Sequence, residues 1–521
     1  STLKVKDPRN NSEEVSSALA VHHTPQKGRH LVATRDIEPG EVLVVEESQA
    51  SFVLHNSTLR SHCSHCLVRV TVPLPCPRCS LVVFCSSTCR KRALDTTGGH
   101  RLECEVLPVM VALQPDLDVA LAFRVVAQTG ILQLKQNIQL LTTKGIINSL
   151  EDNNMEKARD SVGEIVDNVN KLKTKGIIAN KKGNKSEKTK QKLILDINKL
   201  QYLLDETKDG YEFLYTLEGN YDQRTMDEKK EAGISAVILT KLLLLCPKFW
   251  NQEYNLFDVS QVRQEDIELL GDQITRLILN IQCNAHCVKE LKLTAGKPLN
   301  SNQYNNIGYA VFNKLSLLNH SCTANCHQSS RGDCKVLYSV SSIARGEEVT
   351  MSYGERFVSH SKVERQKNIR HSYYFTCDCR ACAQDWPVFE NMALKFMLRC
   401  CKCAAPVDPA TYKCKSCHLF HKNTKKGNKK DKKSHQQQKV PQNVYDAPTC
   451  QSDISKAWVG FNQAYENIEK YHADSEDRNR IEKLLSVMDK YAHLPNKPYI
   501  EAQEAFIRWF DLNSAASFTE D

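Results

Sequence analysis

The stretch LLNHSCTAN at residues 317–325 places four reactive side chains in a row: an amide, an imidazole, a hydroxyl and a thiol. They belong to Asn319, His320, Ser321 and Cys322. Such density rarely serves packing alone, because each buried polar group needs a hydrogen-bond partner. Two further motif-rich segments follow, GEEVTMSYGE at 346–355 and YYFTCDCRAC at 373–382. We therefore interpret the stretch as part of a functional site.

In this order and spacing, the three segments resemble the end of a SET domain, the lysine methyltransferase fold that uses S-adenosylmethionine (AdoMet). Near the N-terminus, residues 27–47 alternate apolar and polar positions across a Pro-Gly turn, which predicts a β-hairpin. An ordinary hairpin is one interpretation. The segment also resembles the opening of SET domains, where a basic loop contacts AdoMet. This resemblance implies that Lys27 and Arg29 bind the cofactor.

The same resemblance implies roles for five residues of the C-terminal segments. Asn319 and His320 would bind AdoMet, and Tyr353 would be the catalytic tyrosine. Tyr373 and Phe375 would line the substrate channel for lysine, and Phe375 and Tyr353 would also contact the cofactor. A tyrosine that merely ends a strand is the alternative for Tyr353 alone. The presence of the other residues at family spacing favours the site.

Asn284 is a further candidate for AdoMet binding. It lies in the apolar run of residues 274–288, which is typical of a buried helix or strand. An asparagine with satisfied hydrogen bonds in that element is one interpretation. The resemblance implies the other, because an asparagine in the matching family segment contacts the cofactor.

Residues 63–104 carry the most specific metal motif of the chain. The order C-x2-C, C-x2-C, C-x3-C, H-x3-C supplies eight ligands, enough for two tetrahedral zinc sites. The segment has so few large apolar residues that it could hardly fold without metal. Disulfide bonds between these cysteines are the weaker alternative. The order resembles a MYND finger, whose pairs interleave. The resemblance implies one ion at Cys63, Cys66, Cys85 and Cys89 and another at Cys76, Cys79, His100 and Cys104.

Eight more cysteines predict two further zinc sites. The third site would join the cofactor-binding stretch to the aromatic segment, with the ligands Cys322, Cys377, Cys379 and Cys382. A C-x2-C…C-x2-C spacing predicts a fourth, ribbon-like site at Cys400, Cys403, Cys414 and Cys417. Cys401 could replace Cys400 in that register. Both sites are interpreted as structural.

Composition limits the function classes. A chain of 521 residues predicts two to four modules, and its 22 cysteines, clustered in pairs without a signal-type segment, favour zinc in a reducing compartment. The net charge of +9 is concentrated in residues 171–192 and 422–439, which carry +15 and leave −6 for the rest. We interpret these tracts as solvated loops; nuclear import or contact with an acidic partner is the alternative. We expect no sequence-specific nucleic-acid binding and no membrane span.

The expected fold class is mixed α+β, a β-rich SET domain split by a MYND finger and a helical insertion. The start at Ser1 rather than Met predicts a fragment or a trimmed chain. The expected divisions are a flexible N-terminus at 1–24, the N-terminal part of SET at 25–62, MYND at 63–104, a helical insertion with a lysine-rich mobile loop at 105–270, the SET core at 271–375, a post-SET zinc region at 376–420, a basic linker at 421–450 and a C-terminal helical segment, similar to tetratricopeptide hairpins or a plain cap, at 451–521.

The resemblance as a whole is to the SET-and-MYND-domain (SMYD) lysine methyltransferases, and the extra cysteine quartet resembles the member with tetratricopeptide repeats. It implies an AdoMet-dependent protein-lysine N-methyltransferase acting on histone or non-histone proteins, with a role in transcriptional regulation. We expect a monomer in cytoplasm and nucleus, with a peptide partner through MYND or the C-terminal helices. The alternative is a non-catalytic adaptor that recruits partners such as co-repressors.

Overall fold

The computed structural model describes residues 4–5, 7–9, 12–53, 56–95, 98–143, 211–254, 262–291, 304–392, 397–421 and 447–515. Residues 144–210 of the expected helical insertion, which include the lysine-rich tract at 171–192, and most of the expected basic linker at 421–450 lie outside these residues.

The strands in the described part of the chain are β1 Pro8–Arg9, β2 Ser12–Ser16, β3 Leu19–Thr24, β4 Gly28–Ala33, β5 Val42–Glu47, β6 Ala50–Val53, β7 Leu74–Pro75, β8 Val83–Phe84, β9 His286–Leu291, β10 Tyr304–Val311, β11 Asn319–His320, β12 Cys326–Arg331, β13 Cys334–Ser339, β14 Glu348–Met351, β15 Leu398–Arg399 and β16 Pro406–Val407.

The α-helices of the same ranges are α1 Asn56–Leu59, α2 Ser87–Leu94, α3 Gly99–Leu113, α4 Leu117–Thr129, α5 Ile131–Thr143, α6 Tyr211–Leu214, α7 Met226–Leu244, α8 Pro247–Tyr254, α9 Gln264–Asn284, α10 Lys362–Tyr373, α11 Arg380–Ala383, α12 Ala447–Glu469, α13 Ser475–Tyr491 and α14 Lys497–Ala515. This mixed composition confirms the predicted fold class.

Three small sheets build the centre of the molecule. Their strand orders are β1-β2-β5-β13-β12, β6-β10-β9 and β11-β14-β4-β3. All their pairings are antiparallel except the one between β11 and β14, which is parallel. The third sheet therefore brings the start of the chain beside two of the predicted site segments.

The predicted hairpin across the Pro-Gly turn is wrong. Both strands form, but β4 lies between β14 and β3 while β5 lies between β2 and β13. The connection between them bridges at Ile37 to Ile343, far along the chain. β4 pairs with β14 and β5 with β13, both far along the chain, and the turn sends the chain from one sheet into another.

The flexible N-terminus expected at residues 1–24 also needs correction. The segment contains β2 and β3, and β3 pairs with β4 along its whole length, from Leu19 opposite Ala33 to Thr24 opposite Gly28. Ala18 and Leu19 are buried in the core. Backbone pairing with β4, the next strand along the chain, orders these residues.

The MYND segment packs on the turn between β12 and β13. The backbone N–H of Asp333 donates to the Cys66 carbonyl at 3.0 Å. Gly332 has a φ of +61°, and a Cβ on it would stand 2.2 Å from the same carbonyl oxygen. Because that approach leaves no room for a side chain, only glycine fits here.

The helical insertion, α3 to α9, packs beside the sheets, and Leu121 and Val125, which follow each other at helical spacing on α4, are fully buried. No single helix in the described ranges has the length and apolarity to cross a membrane. The bent pair Leu117–Thr129 and Ile131–Thr142 meets those criteria together, by length and composition only.

The last of the three C-terminal helices, α14, packs on the largest sheet, and α12 and α13 pack against each other and against α14. Phe510 on α14 stacks on Tyr338 of β13 with ring centroids 3.5 Å apart, and Phe506 meets the same ring edge-on. The apolar side chains of Phe461, Ile468 and Ile481 are buried between the helices. A cavity remains between α12, α14 and the SET sheets.

Candidate active site and zinc clusters

The 317–325 stretch is held against β14 from both sides. In the parallel pair, Asn319 lies opposite Thr350 and His320 opposite Met351. The side chain of Asn325 makes two further bonds to β14, donating to the Glu348 carbonyl and accepting from the Thr350 N–H, each at 2.8 Å. The stretch and the GEEVTMSYGE segment therefore form one rigid unit.

Tyr353 leaves β14 and turns back over this unit. Its hydroxyl donates to the Leu318 carbonyl at 2.6 Å, and its backbone N–H donates to Nδ1 of His320 at 3.0 Å. Since Nδ1 accepts, the proton of the neutral imidazole is on Nε2, which lies 3.3 Å from the Cys322 sulfur. His320 thus connects the predicted catalytic tyrosine to the third cysteine group.

The aromatic segment closes over Tyr353. The Tyr373 ring centroid lies 4.8 Å from that of Tyr353, and its hydroxyl donates to the Tyr353 carbonyl at 3.2 Å. The Phe375 ring lies 6.1 Å from the imidazole of His320. The four aromatic residues that the motifs predicted are therefore in one cluster.

Burial keeps the polar groups of this cluster neutral. Desolvation raises the pKa of Tyr353 well above its usual value and raises the pKa of Tyr373 to about 12. Burial also lowers the pKa of His320 to about 4. At neutral pH the cluster therefore has phenol donors and an uncharged imidazole, and no strong base.

The two basic residues of the predicted cofactor loop face different surroundings. Lys27 forms an ion pair with Glu348 beside Asn319. Arg29 instead donates to the carbonyl and hydroxyl of Thr216, at 2.8 and 3.2 Å. Burial lowers the pKa of Arg29 to about 10. Lys27 is thus the more exposed cation on this wall, while Arg29 fastens the loop to the helical insertion.

Asn284 is the last residue of α9, where the chain changes to β9. Its side-chain amide donates to the carbonyls of Asn280 and Glu218, at 2.8 and 2.9 Å. Both bonds hold it at the edge of the same cavity as Lys27 and Asn319. The structure therefore places the candidate beside the others with its amide group oriented.

Sequence reasoning missed Arg224, which joins three elements around the site. Its guanidinium donates to the Gly219 carbonyl at 2.8 Å and to the side chain of Gln282 at 2.6 Å. It also lies over the Tyr374 ring, 5.1 Å from the centroid, while the Tyr374 hydroxyl bonds to Glu228. No local pattern identifies it, because its partners lie far apart in the sequence.

Two cavities meet at the aromatic cluster. One, of about 1540 Å³, is lined by the predicted cofactor residues Lys27, Asn319, His320 and Phe375. The other, of about 1290 Å³, lies between the SET sheets and the C-terminal helices. The residues common to both linings are Cys283, Asn284, Ser316, Tyr353 and Tyr373. The arrangement can thus bring two ligands together from different cavities.

The MYND cysteines form two groups of four, interleaved along the chain. In each group the ligand atoms lie within 4.8 Å of one another, and the groups are Cys63, Cys66, Cys85, Cys89 and Cys76, Cys79, His100, Cys104. Burial lowers the pKa of His100 to about 3, which leaves the imidazole in its neutral, metal-binding form.

The remaining groups are Cys322, Cys377, Cys379, Cys382 and Cys400, Cys403, Cys414, Cys417. With Zn–S bonds of about 2.3 Å, two ligands of a tetrahedral ion lie roughly 3.8 Å apart. The measured sulfur separations include 3.5 Å for Cys322 to Cys382 and 3.6 Å for Cys400 to Cys417. These groups fit zinc. Cys401 is exposed and outside the fourth group.

Comparisons with known proteins identify the family. The SET domain model matches residues 28–354, more than half of the chain. Protein-lysine N-methyltransferase SMYD4 of Mus musculus is 26% identical over 424 residues, covering 74% of this chain and 48% of that protein. Histone-lysine N-methyltransferase ASHR1 of Arabidopsis thaliana is 24% identical over 366 residues, covering 70% and 55%. Histone-lysine N-methyltransferase SMYD3 of Mus musculus is 23% identical over 359 residues, covering 69% and 60%.

The chain spans about half the length of the SMYD4 proteins it matches. The SET match begins at the loop that carries Lys27 and Arg29 and ends just after Tyr353, so it includes the MYND finger and the helical insertion between them. These findings agree with the motifs at 317–325 and 346–355. The chain therefore belongs to the SET domain family, and its relatives confirm its resemblance to the SET-and-MYND members.

Proposed function

We propose that this protein is an AdoMet-dependent protein-lysine N-methyltransferase. The observation that carries the proposal is the meeting of two cavities at Tyr353 and Tyr373. AdoMet would occupy the cavity with Lys27, Asn319 and His320, and the lysine of a protein substrate would enter from the other. The related proteins named as lysine methyltransferases support the same reaction class.

The residues of the cluster fit this reaction. When bound, AdoMet supplies an electrophilic methyl group on a sulfonium sulfur. A lysine amine must be neutral to accept it, although its free pKa is about 10.4. An aromatic channel that excludes water lowers that pKa. Because Tyr353 and Tyr373 remain neutral phenols, their role is to orient the amine, and such alignment is worth several powers of ten in rate.

The proposal includes four zinc ions, one for each cysteine group, and a location in the nucleus or cytoplasm, where thiolates stay reduced. Histone and non-histone substrates, transcriptional regulation, and a peptide partner at MYND or the C-terminal helices are proposed from the family resemblance. A monomer is proposed likewise. The third ion would join the Cys322 loop to the segment that carries Phe375.

Calorimetric titration of the zinc-loaded protein with AdoMet tests the proposal first. We expect micromolar binding that is lost in Asn319→Ala and largely kept in Tyr353→Phe. Tritiated AdoMet with core histones and a lysine peptide array then tests transfer, which Tyr353→Phe should reduce. Well-folded protein that does not bind AdoMet would disprove the cofactor assignment and favour the adaptor alternative. Binding without transfer to any array peptide would count against the enzyme assignment.

A further inference from the structure

The carboxylate of Glu348 lies on the wall of the cofactor cavity, where no motif assigned it a role. Glu348 is the first residue of β14, the strand between β11 and β4. It lies opposite Val32 of β4, and its side chain reaches Asn319 of β11 and Lys27, which precedes β4. Its side chain is 18% exposed and lines the cavity of about 1540 Å³.

Both oxygens of this carboxylate have partners that the sequence analysis assigned to the cofactor. One oxygen forms an ion pair with Nζ of Lys27. The other accepts a hydrogen bond from Nδ2 of Asn319 at 2.9 Å, and the same Nδ2 donates to the Lys27 carbonyl at 3.1 Å. A lysine ammonium and a glutamate carboxylate are thus held side by side, with Asn319 fixing their orientation.

This pair is complementary in charge to an α-amino acid. The methionyl end of AdoMet carries an ammonium and a carboxylate on the same carbon, and both are charged at neutral pH. Lys27 can receive the carboxylate, but its own charge would repel the ammonium. Glu348 supplies the opposite charge at contact distance from Lys27. Arg29 is not placed to receive the carboxylate of the cofactor, because its guanidinium donates to Thr216.

We propose that Glu348 binds the α-ammonium group of AdoMet while Lys27 binds its carboxylate. The inference rests on the proposed function and names the residue that recognises the amino acid end of the cofactor. On binding, the Lys27–Glu348 contact opens and one ion pair within the protein is replaced by two with the ligand. Asn319 holds the carboxylate in place during the exchange.

The test compares three ligands by calorimetry on the zinc-loaded protein. S-adenosylhomocysteine carries both charges, its deaminated analogue lacks the ammonium, and 5′-methylthioadenosine lacks the whole amino acid end. Glu348→Gln keeps an oxygen for Asn319 but removes the charge. We expect it to weaken S-adenosylhomocysteine binding roughly tenfold to hundredfold and to leave the other two affinities within about twofold.

Two further variants separate charge from structure. Glu347→Gln removes a neighbouring carboxylate, whose bond to the Ala344 N–H a glutamine can keep, and should leave all three affinities unchanged. Glu348→Asp keeps the charge with a shorter reach and should give an intermediate loss. An equal loss for all three ligands, or an unchanged affinity for S-adenosylhomocysteine, would overturn the inference. Wild-type protein that binds neither AdoMet nor S-adenosylhomocysteine would overturn the proposed function itself.

Discussion

Three contacts constrain Tyr353, two through its side chain and one through its backbone. Its hydroxyl donates to Leu318, its backbone N–H is held by His320, and Tyr373 covers its ring. A phenol in this position is fixed in direction, and its raised pKa keeps the proton on oxygen. Geometry rather than ionisation is therefore what this residue contributes to the proposed reaction.

The first prediction concerns the pH dependence of transfer. A raised tyrosine pKa means that the proton leaves only at higher pH, so neither Tyr353 nor Tyr373 titrates between roughly pH 6.5 and 9.5. The transfer rate should therefore rise with pH only as the substrate lysine loses its proton. Tyr353→Phe should lower the single-turnover rate about a hundredfold and keep the same rising limb.

The measurement is a single-turnover pH profile with the peptide selected by the array. If Tyr353→Phe abolished the rising limb while wild type kept it, the phenol would be titrating and the assignment to alignment would be wrong. A profile with equal rates for both proteins would show that the hydroxyl contributes nothing.

Site residues could be predicted from the sequence where they belong to a short local motif. The resemblance carried by their motifs implied that Asn319, His320 and Tyr353 share one site, and the structure joins Tyr353 to His320 by a hydrogen bond. Glu348 left no such pattern, because its partner Lys27 is 321 positions away. A carboxylate in GEEVTMSYGE is indistinguishable from a surface charge until the sheet order is known.

At the scale of elements, Arg224 joins the last turn of α9 to the segment that precedes α7 and to the aromatic segment. The guanidinium donates hydrogen bonds to the carbonyls of Gly219 and Leu279 and to the side chain of Gln282. It also lies 3.4 Å from the sulfur of Cys283. A planar group with five donors can do this, and a single ammonium cannot. Arg224 is a positioning residue for the cavity walls.

The second prediction is that Arg224→Lys weakens AdoMet binding roughly tenfold to hundredfold and lowers the free energy of unfolding by about 2 kcal/mol. The matched control is Arg276→Lys on α9, where the arginine pairs with Asp272 one turn away on the same helix. The Arg276→Lys variant should change neither the AdoMet affinity nor the free energy of unfolding. Calorimetry measures the affinity, and denaturant unfolding measures the stability. Loss of stability at unchanged AdoMet affinity would contradict the positioning role.

Elements were predictable where a segment carries its own periodicity. The three C-terminal helices and α4 form where apolar residues recur at helical spacing. The hairpin expected between β4 and β5 failed, because alternation predicts a strand but not its neighbour. Likewise β3 has three apolar residues followed by three polar ones, which is no alternating pattern, and it pairs with β4 along its whole length.

At the scale of the whole molecule, the cysteine groups stand at unequal distances from the site. The Cys322 group is in contact with His320 through the Cys322 sulfur, 3.3 Å from Nε2. The fourth group packs instead in a small separate core with Cys450 and Tyr491 of the C-terminal helices. Metal loss should therefore affect cofactor binding in one case and not in the other.

The third prediction compares Cys382→Ser with Cys403→Ser. Each should lower the zinc content by one ion per chain, as measured by mass spectrometry of the metal. Cys382→Ser should weaken AdoMet binding roughly tenfold to hundredfold, because the loop that orients His320 loses its anchor. Cys403→Ser should leave the affinity within about threefold. Equal effects of both variants would contradict the proposed link between the third ion and the cofactor cavity.

The order of the segments along the chain was predictable from the sequence, but the contacts between them in the folded molecule were not. The cysteine spacings indicated the eight MYND ligands and the fourth group, and the family resemblance implied the interleaved pairing; the structure shows the same four groups. The position of MYND on the β12–β13 turn depends on one glycine and one backbone bond, which no spacing reveals. Packing of α14 on Tyr338 is equally a property of the folded chain.

The two cavities separate the routes by which ligands come and go. Under the proposed function, spent cofactor leaves through the cavity of Lys27 and Asn319, while the acceptor protein occupies the cavity lined by the C-terminal helices. Fresh cofactor can then arrive without displacing the acceptor. Under the proposed function, an acceptor that stays bound while the cofactor exchanges would allow more than one transfer in a single encounter.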